Sequence, residues 1–177
     1  RRLTVAVNVS AINLKDRHFA ATVKRILDRY QVPPALLTVE VTETAMMGDP
    51  ERALSVLTQL NRIGVRIAID DFGTGYSSLS YIKRLPIQEI KIDRSFVMEM
   101  DKVKGDAIIV RTTINMCHDL GLEVVAEGVE TLMSCNALRG MRCDFLQGYY
   151  LSRPLPFDQL IKWLDGKETV PAPASKT

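Results

Sequence analysis

The 177 residues, 46% hydrophobic and 25% charged, are enough for one domain with a sizeable core, and their composition excludes wholesale disorder, a collagen-like fibre and a low-complexity segment. A net charge of +2 argues against binding to DNA, RNA or a membrane surface by charge alone, so an anionic ligand must be held by a local site. Cys117, Cys135 and Cys143 form no CxxC pair and read as reduced thiols of a cytoplasmic protein rather than a disulfide framework or zinc site.

Taken in chain order, short β-branched runs alternate with helical periods, the pattern of repeated βα units around a parallel sheet. The chain has no initiator Met and enters a strand over residues 3–9 almost at once, which is read as a piece of a longer protein. Val23, Ile26, Leu27 and Tyr30 form the first helical stripe, followed by a strand over 37–41. Asp49-Pro50-Glu51 supplies an N-cap with Pro at the first helical position, the stripe Ala53, Leu57 and Leu60 follows, and Gly64 stops that helix. Strands over 65–69 and 89–92 come next, then a stripe of Ile109, Thr113, Met116 and Leu120 ending at Gly121. Strands over 123–126 and, more weakly, 145–146 complete six units. Most of these strands are nearly continuous apolar, as expected of strands buried on both faces. Trp163 is expected to anchor the last helix by packing. The methionines, Met46, Met47 and Met98 among them, read as core or helix fillers, and His18 and His118 as surface or packing residues. Residues 1–165 are thus one domain and 166–177 a disordered tail or linker. No apolar run reaches the roughly 18 residues that cross a bilayer.

In parallel α/β folds the ligand site lies beyond the carboxyl ends of the strands. The strands here end on Asn8, on Glu40 and Glu43, on Asp70-Asp71, on Lys91 and Asp93, on Glu127 and on Gln147. Any one of these is adequately explained as a cap or a loop carboxylate. Together, so many acids beside a single lysine need a countercharge, because an unpaired carboxylate buried in an apolar run costs several kcal/mol. Oxygen-only ligands select Mg²⁺ or Mn²⁺, and the adjacent Asp70-Asp71 suggests two ions, a pairing suited to attack of water on a phosphodiester. Lys91 could orient that water and Glu127 could be its base; the plainer alternative is a Lys-carboxylate ion pair closing the barrel mouth. Asp71-Phe72-Gly73-Thr74-Gly75-Tyr76-Ser77-Ser78 lacks the Lys-Ser/Thr of a P-loop and reads as a loop hinged on its glycines.

These segments resemble the EAL-domain phosphodiesterases that hydrolyse cyclic di-GMP. The matching motifs are Val7-Asn8-Val9-Ser10, Glu40-Val41-Thr42-Glu43, the Asp71–Ser78 loop preceded by Asp70, Lys91-Ile92-Asp93, Glu127-Gly128-Val129-Glu130, and Gln147-Gly148-Tyr149 with Pro154. The resemblance implies a TIM-like (β/α)8 barrel, of which this chain supplies about six βα units. It implies that Asn8, Glu40, Asp70 and Asp71 bind the two metal ions, with Glu127 as general base and Lys91 beside the attacking water. Gln147 and Pro154 would contact substrate, Glu43 would anchor the loop, and Asp93 would be accessory. It further implies linear pGpG as product, a homodimer through the Asp71–Ser78 loop and the following helix, and upstream sensory or cyclase domains. The Glu-Ala-Leu tripeptide is absent, so the chain by itself is expected to be catalytically incomplete. The competing expectations are a cyclic di-GMP sensor that does not cleave, and a barrel fragment acting only as a scaffold.

Overall fold

The computed structural model describes residues 3–75 and 79–166; the loop residues Tyr76–Ser78 and nearly all of the tail expected over 166–177 lie outside the described residues. The elements in order are β1 (Val5–Asn8), α1 (Ala11–Lys15), α2 (Phe19–Arg29), β2 (Leu37–Thr42), α3 (Glu43–Met47), α4 (Pro50–Arg62), β3 (Arg66–Phe72), α5 (Leu79–Ile82), β4 (Glu89–Ile92), α6 (Arg94–Glu99), α7 (Lys104–Asp119), β5 (Glu123–Ala126), α8 (Leu132–Gly140), β6 (Phe145–Leu146) and α9 (Phe157–Leu164). All strand pairings are parallel and join consecutive strands, in the order β1-β2-β3-β4-β5-β6. The sheet curls as half a barrel, the TIM-like arrangement that the resemblance implies.

The strands are two-sided rather than uniformly apolar. Val39, Val41, Ile67, Ile69, Ile90, Ile92 and Val124 are buried under the helices, each contributing about 1.5–3 kcal/mol relative to exposure. Residues of the opposite parity, among them Glu40, Asp70, Lys91 and Glu123, face the inside of the curl, because successive strand side chains alternate faces. β1 is exposed along its whole length, with Val5 59% accessible. An edge strand pairs on one side only, so the expectation of burial on both faces fails there.

Local signals explain the element boundaries. Asp49 accepts the Arg52 N–H with Pro50 at the first helical position of α4. Gly64 and Gly121 close α4 and α7 at φ 92° and 73°. Two helical stripes differ from expectation. α2 buries Ala20 and Leu27 and leaves Ile26 and Tyr30 exposed, while α7 buries Val110, Thr113, Ile114 and Cys117 and leaves Ile109 and Leu120 partly exposed. Met47 and Met98 lie on helices, as expected, and like Trp163 they are partly exposed. His118 has a partner, Asp144, at 2.9 Å, and the same carboxylate oxygen accepts the Val124 N–H. The cysteines are free.

Candidate active site

The inner face of the sheet carries charge in two layers. At the strand starts, the Arg66 guanidinium pairs with Glu123 and lies 3.9 Å from Glu89. At the carboxyl ends, the Lys91 ammonium lies 2.9 Å from Glu40, 3.1 Å from Asp70 and 2.7 Å from Glu127. Four consecutive strands thus deliver one charged group each to a single point.

The upper layer is nearly dry, with the Lys91 side chain 5% exposed. Burial works against its charge, but hydrogen bonds to Glu127 and Glu40 and the charges of Glu127 and Asp70 outweigh burial and hold the ammonium well above its ordinary pKa. Burial raises the Glu127 carboxyl above its usual range, an effect that Lys91 partly offsets. One ammonium cannot balance the carboxylates around it, and that excess of negative charge is what a cation would answer.

Asp71 shows how two adjacent aspartates reach one place. Strand alternation sends Asp71 to the face opposite Asp70, but the β3–β4 register shifts between Ile69 and Phe72, and Asp71 takes the left-handed φ of 54°. Its N–H donates to the Asp70 carboxylate at 3.0 Å. Carboxylate oxygens of Asp70, Asp71 and Glu127 come within 4.8 Å of one another, the spacing of a shared metal site. Burial raises the Asp71 pKa, and the neighbouring charges of Asp70 and Asp93 add to it. Oxygen-only donors, close spacing and surplus negative charge fit a hard divalent cation.

The remaining expected residues sort by position. Asn8 stands at the end of β1, in register with Glu40. Glu43 is buried at the start of α3, where its carboxylate accepts the Gly75 N–H at 2.9 Å. Asp93 caps α6 by accepting the Ser95 N–H at 2.9 Å and the Ser95 hydroxyl, and its carboxyl is lowered because the Ser95 bonds outweigh burial. Gln147 lines a cavity of about 620 Å³ together with Glu127, Arg94, Ser95 and Tyr149; Pro154 does not line it. The sequence reading missed Arg94, Ser95 and Tyr149. Arg94 and Ser95 directly follow the Lys91-Ile92-Asp93 motif and Tyr149 follows Gln147-Gly148, so adjacency was the available signal. Arg153 stacks 4.4 Å over the Tyr149 ring.

Comparison with known proteins agrees with this geometry. Residues 1–154 match the model of the EAL domain family. The bifunctional diguanylate cyclase/cyclic di-GMP phosphodiesterase MucR of Pseudomonas aeruginosa is 45% identical over 157 residues, 89% of this chain and 23% of MucR. The cyclic di-GMP phosphodiesterase NbdA of the same organism is 43% identical over 163 residues, 92% of this chain and 21% of NbdA. The solved PaMucR phosphodiesterase in complex with c-di-GMP superposes with a TM-score of 0.85 at 44% identity, covering 89% of this chain and 64% of that one. The chain spans only about a fifth of the length of the curated relatives it matches.

Proposed function

We propose, from the premise that the chain belongs to the EAL domain family, that it carries the catalytic half-barrel of a metal-dependent phosphodiesterase that hydrolyses cyclic di-GMP to linear pGpG. The observation that carries this reading is the convergence of Glu40, Asp70 and Glu127 on Lys91, with Asp71 turned in beside them, at the carboxyl ends of the strands. Binding of c-di-GMP in the solved MucR complex supports the substrate.

Asn8, Glu40, Asp70 and Asp71 would hold Mg²⁺ or Mn²⁺, as two ions, and Glu127 stands within ligand reach of the aspartates. When bound there, such ions would neutralise the phosphoryl oxygens and acidify water. The protein's own part is to orient and to move protons. Lys91 directs the nucleophilic water, and Glu127, held 2.7 Å from Lys91, takes its proton as the oxygen bonds to phosphorus. The bond from phosphorus to the ribose 3′ oxygen breaks, and that oxygen receives the proton Glu127 took from the water, leaving pGpG. Gln147 sits in the adjoining cavity, where a guanine or phosphate would lie; Pro154 is assigned to the substrate rim by family likeness alone. The Glu43 contact to Gly75 holds the loop that leaves Asp71, and Asp93, in an accessory role, caps α6 beside Asp71.

We also propose a homodimer through the Asp71–Ser78 loop and α5; Leu79, 58% exposed at the start of α5, suits such a face. We propose as well a cytoplasmic setting among upstream sensory or cyclase domains, the cyclase supported by the bifunctional name of MucR.

The test is conversion of cyclic di-GMP to pGpG with Mn²⁺, and its abolition by EDTA and by Asp70→Asn, in the chain and in a version extended upstream. Turnover in the extended protein supports the reading; binding without turnover would make it a cyclic di-GMP receptor.

A further inference from the structure

We infer that α6 is a positioning element shared by the two turns that carry Asp71 and Glu127, with Phe96 as the residue that sets the Asp71 turn. The consequence for turnover rests on the phosphodiesterase reading above; the structural claim stands apart from it.

The Asp71 turn is not held by ladder hydrogen bonds alone. Asp71 and Gly73 both have left-handed φ, 54° and 99°, a conformation that costs a non-glycine residue free energy and persists only when its surroundings impose it. On one side Glu43 accepts the Gly75 N–H. On the other the Phe96 ring lies against Gly73 so closely that a Cβ there would stand 2.9 Å from Cε2. Phe96 is partly buried and packs on the core, and its neighbours Val97 and Met100 are buried, so the ring is fixed from beneath.

The same short helix touches the second turn. Gly128, directly after Glu127, has φ 73°, and a Cβ there would come 2.6 Å from Arg94 Cβ and 3.2 Å from Met98 Cγ. α6 therefore meets both turns with no room for a methyl group at either, one through Phe96 and the other through Arg94 and Met98. It also follows Lys91 in the chain by only two residues. A displacement of α6 must move the aspartate turn and the Glu127 turn together, which makes the spacing between them a property of this helix.

The experiment compares Phe96→Ala and Phe96→Leu with the parent chain. Amide hydrogen exchange over 71–75 should accelerate in the alanine variant while exchange in β3 at Ile67–Ile69 stays slow. Mn²⁺ affinity, read by titration calorimetry, should fall about ten-fold, the size seen when an outer partner of a metal ligand is lost, and leucine should restore most of it. Combined with Asp71→Asn, Phe96→Ala should weaken Mn²⁺ no further than Asp71→Asn does by itself. Unchanged exchange in the turn, or losses that add in the double variant, would overturn the inference. If the alanine variant does not fold, Phe96→Val, which withdraws the ring from Gly73 but keeps an apolar side chain, carries the same expectations. A parent protein that binds Mn²⁺ with Phe96-dependent affinity but does not cleave cyclic di-GMP overturns the phosphodiesterase reading and leaves the positioning role standing. Cleavage with affinity, turnover and exchange all intact in the variant overturns the positioning role alone.

Discussion

The two charged layers inside the sheet are built alike and do different work. Each sets one cation among carboxylates from neighbouring strands, Arg66 with Glu89 and Glu123 below, Lys91 with Glu40, Asp70 and Glu127 above. Below, Arg66 is 33% and Glu123 45% exposed, so water screens that pair and Glu89, 14% exposed, is the one mostly buried acid of the layer. Above, water is excluded and Asp71 is turned in beside the others, so the surplus negative charge persists and favours a metal. Function here follows from where the imbalance lies, since strand starts end in ordinary connections whereas carboxyl ends open into turns that can add further ligands.

The largest test of this contrast is Lys91→Met. Leaving three carboxylates buried without their ammonium should destabilise the metal-free protein by about 3–5 kcal/mol, measured by urea unfolding in EDTA, and Mn²⁺ should recover part of that loss. Turnover should fall at least a thousand-fold, roughly 4 kcal/mol of barrier. A loss no larger than that of Arg66→Met would erase the distinction between the layers.

Asp70→Asn should separate stability from activity. The substitution removes a carboxylate that disfavours ionisation of Asp71 but also an acceptor of Lys91, so unfolding free energy in EDTA should change by about 1 kcal/mol or less. Mn²⁺ binding by calorimetry and cleavage of cyclic di-GMP should both be lost. Arg66→Met is the counterpart below. It should cost about 1–2 kcal/mol, because Glu89, already raised in pKa chiefly by burial, loses the guanidinium that most offsets that burial, while kcat and KM stay as they were.

The smallest effect is alkaline. Lys91 holds its proton above the ordinary pKa of 10.5 in the folded protein. Its contribution to stability is therefore complete below that value and is lost as pH rises through the higher folded one. Cys117, whose thiol burial pushes up to about 12 from 9.0, acts in the same direction from pH 9 upward. Urea midpoints of the metal-free protein should decline from pH 9 to pH 12, and Lys91→Met should flatten the part above 10.5. Arg66 stays charged throughout, so its variant should keep the slope of the parent.

Much of this was legible in the sequence, for reasons that also explain the gaps. Strand-terminal Glu40, Asp70, Lys91 and Glu127 were readable because a charge in a short apolar run has few uses, and parallel strands all end on one side. The faces of α2 and α7 were misjudged because Ile26, Tyr30, Ile109 and Leu120 fit a helical period almost as well as the residues that are buried, and periodicity does not reveal where a helix meets its sheet. Asp71 was assigned to the site by its neighbour; the register shift and left-handed φ that bring it there leave no mark in composition. Phe96 carries no signal in the sequence, since nothing local shows that its ring rests on Gly73.

The strictly sequential strand order sets how the chain can acquire its structure. Every pairing closes a loop of one βα unit, and closure entropy grows only slowly with loop length, so no distant segment must be found before the sheet can start. The pairing of β2 with β3 is the longest unbroken register, Thr38 to Thr42 against Arg66 to Asp70, and α4, which joins them, buries Val56, Leu57 and Leu60. We expect that unit to form first, and with it two of the carboxylates that meet Lys91, Glu40 and Asp70, are brought side by side.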